Sequence, residues 1–246
     1  MKVLAVIPAR LASTRLPRKM LREVAGEPLI IRVYNAVRTC TLLDELLVAT
    51  DSDEIAQICR ERGCNVRMTS RSHQSGTERV HEISNLVSAD VYINVQGDEP
   101  LTRPEHLLAL IELMSDPKIE VGTLKTAAKT ADIKNPNVVK VVTSMAGKAL
   151  YFSRSAIPHD RDNTGAAYFK HLGFYAYRKS ALDRFVALPA SSLELVEKLE
   201  QLRFLEDGIS IHLQQTPFDT IGIDTEDDLN RVEEIIKQEE LKKIRT

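Results

Sequence analysis

Long apolar runs are missing from this 246-residue chain: the opening VLAVI is cut short by Pro8 and Arg10. That excludes a membrane-spanning helix there and a secretory leader of ordinary length. An excess of charge is missing too, with 33 Lys and Arg against 35 Asp and Glu, so nothing global favours nucleic acid or an anionic membrane. Cysteine is scarce. Cys40, Cys59 and Cys64 are odd in number, and the C-x4-C spacing of the last two has no second pair. This argues against a zinc site and for a reduced, cytoplasmic setting. Neither G-x-x-x-x-G-K-[ST] nor G-x-G-x-x-G occurs, which disfavours a Walker-type NTPase and the usual dinucleotide oxidoreductases. There is no repeat, low-complexity tract or Pro/Gly/Ser-rich linker. What remains, 43% hydrophobic and 28% charged, is the composition of a globular chain able to bury one good core.

The first half alternates. VLAVIPA (3–9), ELLVATD (45–51), NVRMTS (65–70) and VYINVQGD (91–98) read as strands, separated by helical periodicity at 28–40, 53–63, 76–87 and 103–114. Asp51, Ser52 and Asp53 all qualify to cap the second helix, and Pro104 suits the start of the fourth. The second half reads as a hairpin about Gly147 (138–155), a strand running into a helix (170–182), one amphipathic helix (192–208) ending at Gly208, a late strand and a charged terminal helix. Alternating strands and helices predict an α/β fold, a mostly parallel sheet flanked by helices, with an inserted β-rich portion.

In such a sheet ligands bind beyond the carboxyl ends of the strands. PARLASTR, TDSD, HQSGTER and QGDEP all fall there. The first of these loops begins a cluster of four cations, Arg10, Arg15, Arg18 and Lys19, in a chain without net positive charge. Arg grips phosphate bidentately and Lys follows it as a point charge; the alternative is a solvated loop paired with nearby acids. Asp98 lies just beyond an apolar strand, where a carboxylate packs badly but suits Mg²⁺ beside phosphates. Asp224, after Ile221, Gly222 and Ile223, repeats the pattern, with helix capping as its alternative. Glu99 reads as a rim carboxylate, and Lys140 in VVKVV as an edge residue or a substrate contact.

IPAR-x-x-STRLP, HQSGTER, NVQGDEP, ALYFSR-x-x-IP, KHLG-x-YAYR, LEQLR and the final ID-T-x-D-DL together resemble the 3-deoxy-manno-octulosonate (Kdo) cytidylyltransferases, from Val3 to about Val232. The resemblance implies a Rossmann-like nucleotide-diphospho-sugar-transferase fold. It also implies Mg²⁺-dependent transfer of CMP from CTP to Kdo, releasing pyrophosphate and activating the sugar for lipopolysaccharide. Carried over, Arg10, Ser13 and Lys19 would meet the CTP phosphates. Gln74, Ser75 and Gly76 would line the cytidine, with Arg79 supporting that wall. Asp98 and Asp224 would hold the metal. Gln96, Arg154, His171, Tyr175, Glu200 and Gln201 would form the Kdo pocket, Arg154 and His171 answering its carboxylate. Residues 1–246 would then be one nucleotidyltransferase domain, with 1–130 mainly the CTP half. Residues 131–246 would be a sugar-binding and homodimerisation half that is not independent.

Without the resemblance, His171 reads as a core histidine, Tyr175 as packing, and Glu200 and Gln201 as a solvated helix face. Many relatives read RLPGKPL where this chain has RLPRKML, so Arg18 stands at a common glycine; the expectation is that the position tolerates a side chain and that Arg18 faces solvent or adds to the positive field. Arg15 is expected to buttress the loop. The competing functions are a cytidylyltransferase for 8-amino-Kdo or another sugar acid such as a sialic acid, and a nucleotide-binding regulatory protein without turnover.

Overall fold

A computed structural model describes residues 1–11 and 16–244. In chain order the elements are β1 (Val3–Ala9), a 3₁₀ turn (Lys19–Leu21), β2 (Glu23–Val24), β3 (Glu27–Pro28), α1 (Leu29–Arg38), β4 (Glu45–Thr50), α2 (Asp53–Glu61), β5 (Val66–Met68), α3 (Gly76–Leu86), β6 (Val91–Asn94) and α4 (Pro104–Leu113). There follow β7 (Val121–Ala127), α5 (Thr130–Ile133), β8 (Lys140–Thr143), β9 (Ala149–Ser153), β10 (Phe169–Tyr177), α6 (Lys179–Ala187), α7 (Ser192–Glu197), α8 (Gln201–Glu206), β11 (Ile211–Gln215) and α9 (Glu226–Ile244).

The main sheet runs β11-β7-β10-β6-β1-β4-β5. The β5, β4, β1 and β6 strands are parallel neighbours, and so are β7 and β11, while β10 pairs antiparallel with both β6 and β7. One reversed strand therefore joins two parallel blocks, and residues from both halves of the sequence share one sheet. The β8–β9 hairpin branches from the start of β10, as the inserted β-rich portion predicted. Two apolar layers cover the sheet. One packs Ile7, Val48 and Ile93 against α1, α4 and α9; the other packs Leu4, Leu47 and Tyr92 against α3, α6 and α8. Strands buried on both faces explain why their sequences read as continuous apolar runs.

Local signals in the first half act as expected. Ser52 caps α2 by accepting from Ile55 N–H at 3.3 Å, and Ser75 caps α3 through Glu78 N–H at 3.2 Å. Gly97 has a packing reason: a Cβ there would meet Met20 Sδ at 2.9 Å and the Pro8 carbonyl at 3.0 Å. Only glycine lets the loop after β6 lie against the end of β1.

The second half corrects the sequence reading in three places. Strand β7, paired on both sides by β11 and β10, was not anticipated, because VGTLKTA mixes apolar residues with Thr123, Lys125 and Thr126; the Thr123 hydroxyl and the Lys125 amine are bonded inside the fold. The single helix expected over 192–208 is two short ones, broken where Lys198 turns left-handed at φ 54°. That break turns Glu200 inward. Lys140 is neither an edge residue nor a candidate contact: it is fully buried, and its ammonium donates to the carbonyls of Asn135, Val138 and Arg154 at 2.8, 2.5 and 2.6 Å.

Arg18 corrects a fourth. Its side chain is exposed and pairs with Glu54, but its backbone is left-handed, φ 56° and ψ 31°, so the position does favour glycine. Holding a non-glycine residue there costs about 1–2 kcal/mol, and an exposed ion pair returns less than about 1 kcal/mol. Glycine's freer unfolded chain offsets about 0.4–1 kcal/mol of the relief. These terms nearly cancel, so Arg18→Gly is expected to keep the melting temperature within about 3 °C of wild type, whereas Arg18→Val, β-branched in a left-handed position, lowers it; equal melting temperatures for the two variants would contradict the assignment of strain.

Candidate active site

The loops after β1, β6 and β11 meet at the carboxyl end of the sheet, at Lys19. The ammonium reaches Asp98 Oδ2 at 2.5 Å and Asp224 Oδ1 at 3.1 Å. Burial works against the charged lysine, but the two carboxylates outweigh it and hold its pKa above the ordinary value. The loops are also tied through the main chain, Ile223 N–H donating to the Asp98 carbonyl at 2.9 Å. Capping of α9 falls to the next residue: Thr225 and Asp228 exchange hydrogen bonds, Asp228 N–H to Thr225 Oγ1 at 3.2 Å and Thr225 N–H to Asp228 Oδ2 at 2.9 Å. Asp224 is thereby left to face Lys19.

Arg10, half-buried at the end of β1, has no hydrogen-bond or ion-pair partner among the described residues. Burial, with Arg79 nearby, pushes its guanidinium below the ordinary value, against the pull of Glu200, Asp51 and Glu78. An unpaired guanidinium in a partly desolvated cleft is an anion receptor. Ser13 and Arg15 lie outside the described residues.

The residues expected to line the cytidine stand at and just before the start of α3. Gln74 is exposed and bonded locally, its amide to the Ser72 carbonyl at 2.9 Å. A Cβ on Gly76 would meet Pro8 and Asn94 only at ordinary distances of 3.5–3.6 Å, so packing alone does not demand glycine there. Arg79 is a buttress: fully buried, it reaches Asp51 at 2.5 Å, Thr69 Oγ1 at 2.6 Å and the Ser70 carbonyl at 3.2 Å, joining α3 to the ends of β4 and β5. With its fork so engaged, it supports the wall and does not present itself to a ligand.

The predicted sugar residues gather on the α3 side of β10. Gln96 lies over Gly173, whose missing Cβ would be 3.4 Å from Gln96 Cγ. Tyr175 stacks on Tyr177 at 5.6 Å, and its buried hydroxyl finds no partner among the described residues. Glu200 accepts from Thr77 Oγ1 at 3.0 Å, and burial raises its pKa despite that bond. Gln201 is buried beside it. Both were expected on a solvated face had the resemblance been set aside, and the helix break explains why they are not. Arg154 spans three carbonyls, those of Glu197, Pro136 and Lys198 at 2.8, 3.1 and 3.4 Å, which leaves two of its five N–H donors.

Burial sets the charge of two further residues. His171 packs on Phe152 and Tyr175 and meets Thr123 Oγ1 at 3.0 Å; burial, with Lys170 adding, pushes its pKa down to about 3. It is a neutral imidazole and brings no positive charge to a carboxylate. Glu99 is not a rim residue: burial, with Asp98 next to it, raises its pKa to about 7, and it accepts from Thr220 Oγ1 at 2.5 Å. Sequence reasoning missed Thr123, Thr77, Lys170 and Asp219, whose roles depend on cross-chain pairing. A separate cleft of about 820 Å³ behind the Asp224 loop, lined by Arg32, Arg103 and Glu239 among others, holds none of the predicted site residues.

The sheet, with Lys19 held between two carboxylates beyond its carboxyl end, is that of a nucleotidyltransferase, and residues 4–211 match the family described as Cytidylyltransferase. A relative from Koribacter versatilis (strain Ellin345), named 3-deoxy-manno-octulosonate cytidylyltransferase, is 62% identical across 96% of this chain and 90% of its own length. One of the same name from Acidobacterium capsulatum is 51% identical across 96% of this chain and 97% of its own. The solved structure of CMP:2-keto-3-deoxy-manno-octonic acid synthetase complexed with CTP superposes with a TM-score of 0.93 at 41% identity, covering 97% of this chain and 100% of that one. This chain belongs to the 3-deoxy-manno-octulosonate cytidylyltransferase family.

The neutral His171 has a measurable signature. Between its folded pKa of about 3 and an unfolded value of about 6.5, the unfolded chain binds one proton more. Its contribution to stability is thus complete above the unfolded pKa and is lost as pH falls below it, by at most about 1.4 kcal/mol per pH unit. The neighbouring charge of Lys170 acts in the same direction. Urea midpoints at pH 7 and pH 5 should fall more steeply in the wild type than in His171→Gln; parallel slopes would mean the imidazole is protonated in the fold.

Proposed function

We propose that this protein transfers CMP from CTP to Kdo, giving CMP-Kdo and pyrophosphate and so activating an acidic sugar for lipopolysaccharide. The observation that carries the reading is the convergence of Lys19, Asp98 and Asp224 at the carboxyl end of the sheet; Arg10, at the end of β1, adds a cation with no hydrogen-bond partner among the described residues. The relatives named above support the choice of nucleotide and sugar.

The anomeric hydroxyl at C2 of the sugar attacks the α-phosphorus in line. A new P–O bond forms, the bond to pyrophosphate breaks, and the hydroxyl proton leaves to solvent. Little covalent help is needed, so positioning and charge neutralisation dominate. Arg10 and Lys19 sit where the triphosphate's negative charge would collect, with Ser13 assigned beside them. The cytidine lies along Gln74, Ser75 and Gly76, the wall that Arg79 supports. Kdo lies over Gln96, His171, Tyr175, Glu200 and Gln201, whose amides, carboxylate and neutral imidazole suit hydroxyls. With His171 uncharged, the sugar carboxylate falls to the two remaining Arg154 donors and to Arg10.

The donor set suits Mg²⁺. Asp98 and Asp224 both reach one cationic atom, Lys19 Nζ, so both can reach one metal ion. Mg²⁺ is held in such sites by one or two carboxylates, with water and substrate phosphate completing its shell. The ion would supply charge neutralisation at the phosphates.

The setting in this reading is cytoplasmic, and no described helix is long and apolar enough to cross a membrane. The assembly proposed is a homodimer through the inserted β8–β9 portion, where Leu150 and, nearby on α7, Val196 are exposed.

Pyrophosphate release from CTP with Kdo and Mg²⁺, measured against 8-amino-Kdo and a sialic acid at equal concentration, should be fastest with Kdo. CTP binding with no turnover on any sugar acid would instead mark a regulatory protein. Asp98→Ala and Asp224→Ala should each cut turnover severely and weaken its Mg²⁺ dependence. Lys19→Ala should cut it by about 10²–10³-fold, the loss of one transition-state donor. Wild-type rates in any of the three would remove that residue from the site.

A further inference from the structure

The loop that carries Asp224 is anchored by a set of residues with no part in the chemistry above. Lys170 lies on β10, one residue before His171. Its ammonium donates to Asp219 Oδ1 at 2.8 Å and to the Thr220 carbonyl at 2.7 Å. Lys129 takes the other oxygen of the same carboxylate, Asp219 Oδ2, at 2.7 Å. Thr220 in turn bonds the half-buried Glu99, and Ile223 bonds the main chain of Asp98. Further back, His106 Nδ1 accepts from Arg103 N–H, so Nε2 carries the proton and donates to the Phe218 carbonyl at 3.1 Å. The loop is thus held at Phe218, Asp219, Thr220 and Ile223.

The two lysines differ in weight. The Lys129 side chain is 63% exposed and that of Lys170 only 17%. An exposed pair is screened by water and salt and contributes little. Lys170 is shielded and also satisfies a backbone carbonyl that would otherwise lose its partner. The hold on the loop therefore rests mainly on Lys170.

We propose that Lys170 is a positioning residue for the metal and phosphate site: it clamps the 218–223 loop to the strand bearing His171, so that Asp224 stays opposite Asp98 within reach of a single cation. The metal part of this proposal rests on the function proposed above. The clamp itself is a property of the protein without ligands. It also links the sugar strand to the Asp224 loop by one side chain, so a shift in either is felt by the other.

Lys170→Met, Lys170→Arg and Lys129→Met test it. In ligand-free protein, hydrogen exchange at amides 219–225 should accelerate about tenfold or more in Lys170→Met and stay near wild type in Lys129→Met. Mn²⁺ affinity of the CTP-loaded protein, read by electron paramagnetic resonance, should fall about 10–100-fold, as for other residues that orient a metal's ligands. The Mg²⁺ concentration for half-maximal rate should rise in step, with the KM for Kdo within about twofold of wild type. Lys170→Arg should restore most of each effect. Unchanged exchange and unchanged Mn²⁺ affinity in Lys170→Met would overturn the proposal. So would a lowered melting temperature with metal affinity intact, since that is bracing without positioning. If the wild type releases no pyrophosphate, the proposed reaction fails while the exchange comparison still decides the clamp.

Discussion

Asp98 and Asp224 face each other from loops near the middle and the end of the chain, and two carboxylates so placed repel. At about 4 Å and an effective dielectric near 20 the repulsion is about 4 kcal/mol, a large share of the stability of an ordinary domain. The Lys19 ammonium, bonded to both, is what makes the arrangement tolerable. Much of the surrounding structure serves that contact. Gly97 lets the Asp98 loop lie on the end of β1, close to the turn that carries Lys19, and Thr225 with Asp228 relieves Asp224 of capping duty.

The sheet supplies the rest. Parallel strands β1, β4 and β6 deliver their following loops to one edge, which concentrates cations and donors there. The reversed β10 then carries His171 and Tyr175, and its start, at Lys170 next to His171, ties to the hairpin. Residues from the first half of the chain and from the second are therefore neighbours across the β6–β10 pair, and the reversal is the geometric reason they can be.

The sequence was readable wherever neighbours in the chain decide the outcome. Strand Val3–Ala9, the Ser52 and Ser75 caps and the hairpin about Gly147 follow from periodicity and capping chemistry alone. It was unreadable where partners arrive from elsewhere. Thr123 and Lys125 look wrong for a central strand until His171 and Thr143 are seen to bond them. Residues 192–208 have a helical pattern throughout, and only Glu200 reaching Thr77 shows what the break achieves. The site residues came from matching long motifs. Their charge states did not: nothing local announces that His171 is neutral or that Glu99 is buried, because both follow from burial set by the whole sheet.

Lys140 looked misplaced in an apolar strand, and its surroundings give it another character. Three main-chain oxygens close around its ammonium as they would around a bound potassium ion. Here the ion is covalently tethered to the chain and cannot diffuse away. The base of the hairpin, the turn at Asn135 and the backbone of Arg154 thus keep their arrangement whatever the salt around the protein, without drawing a counter-ion from solution.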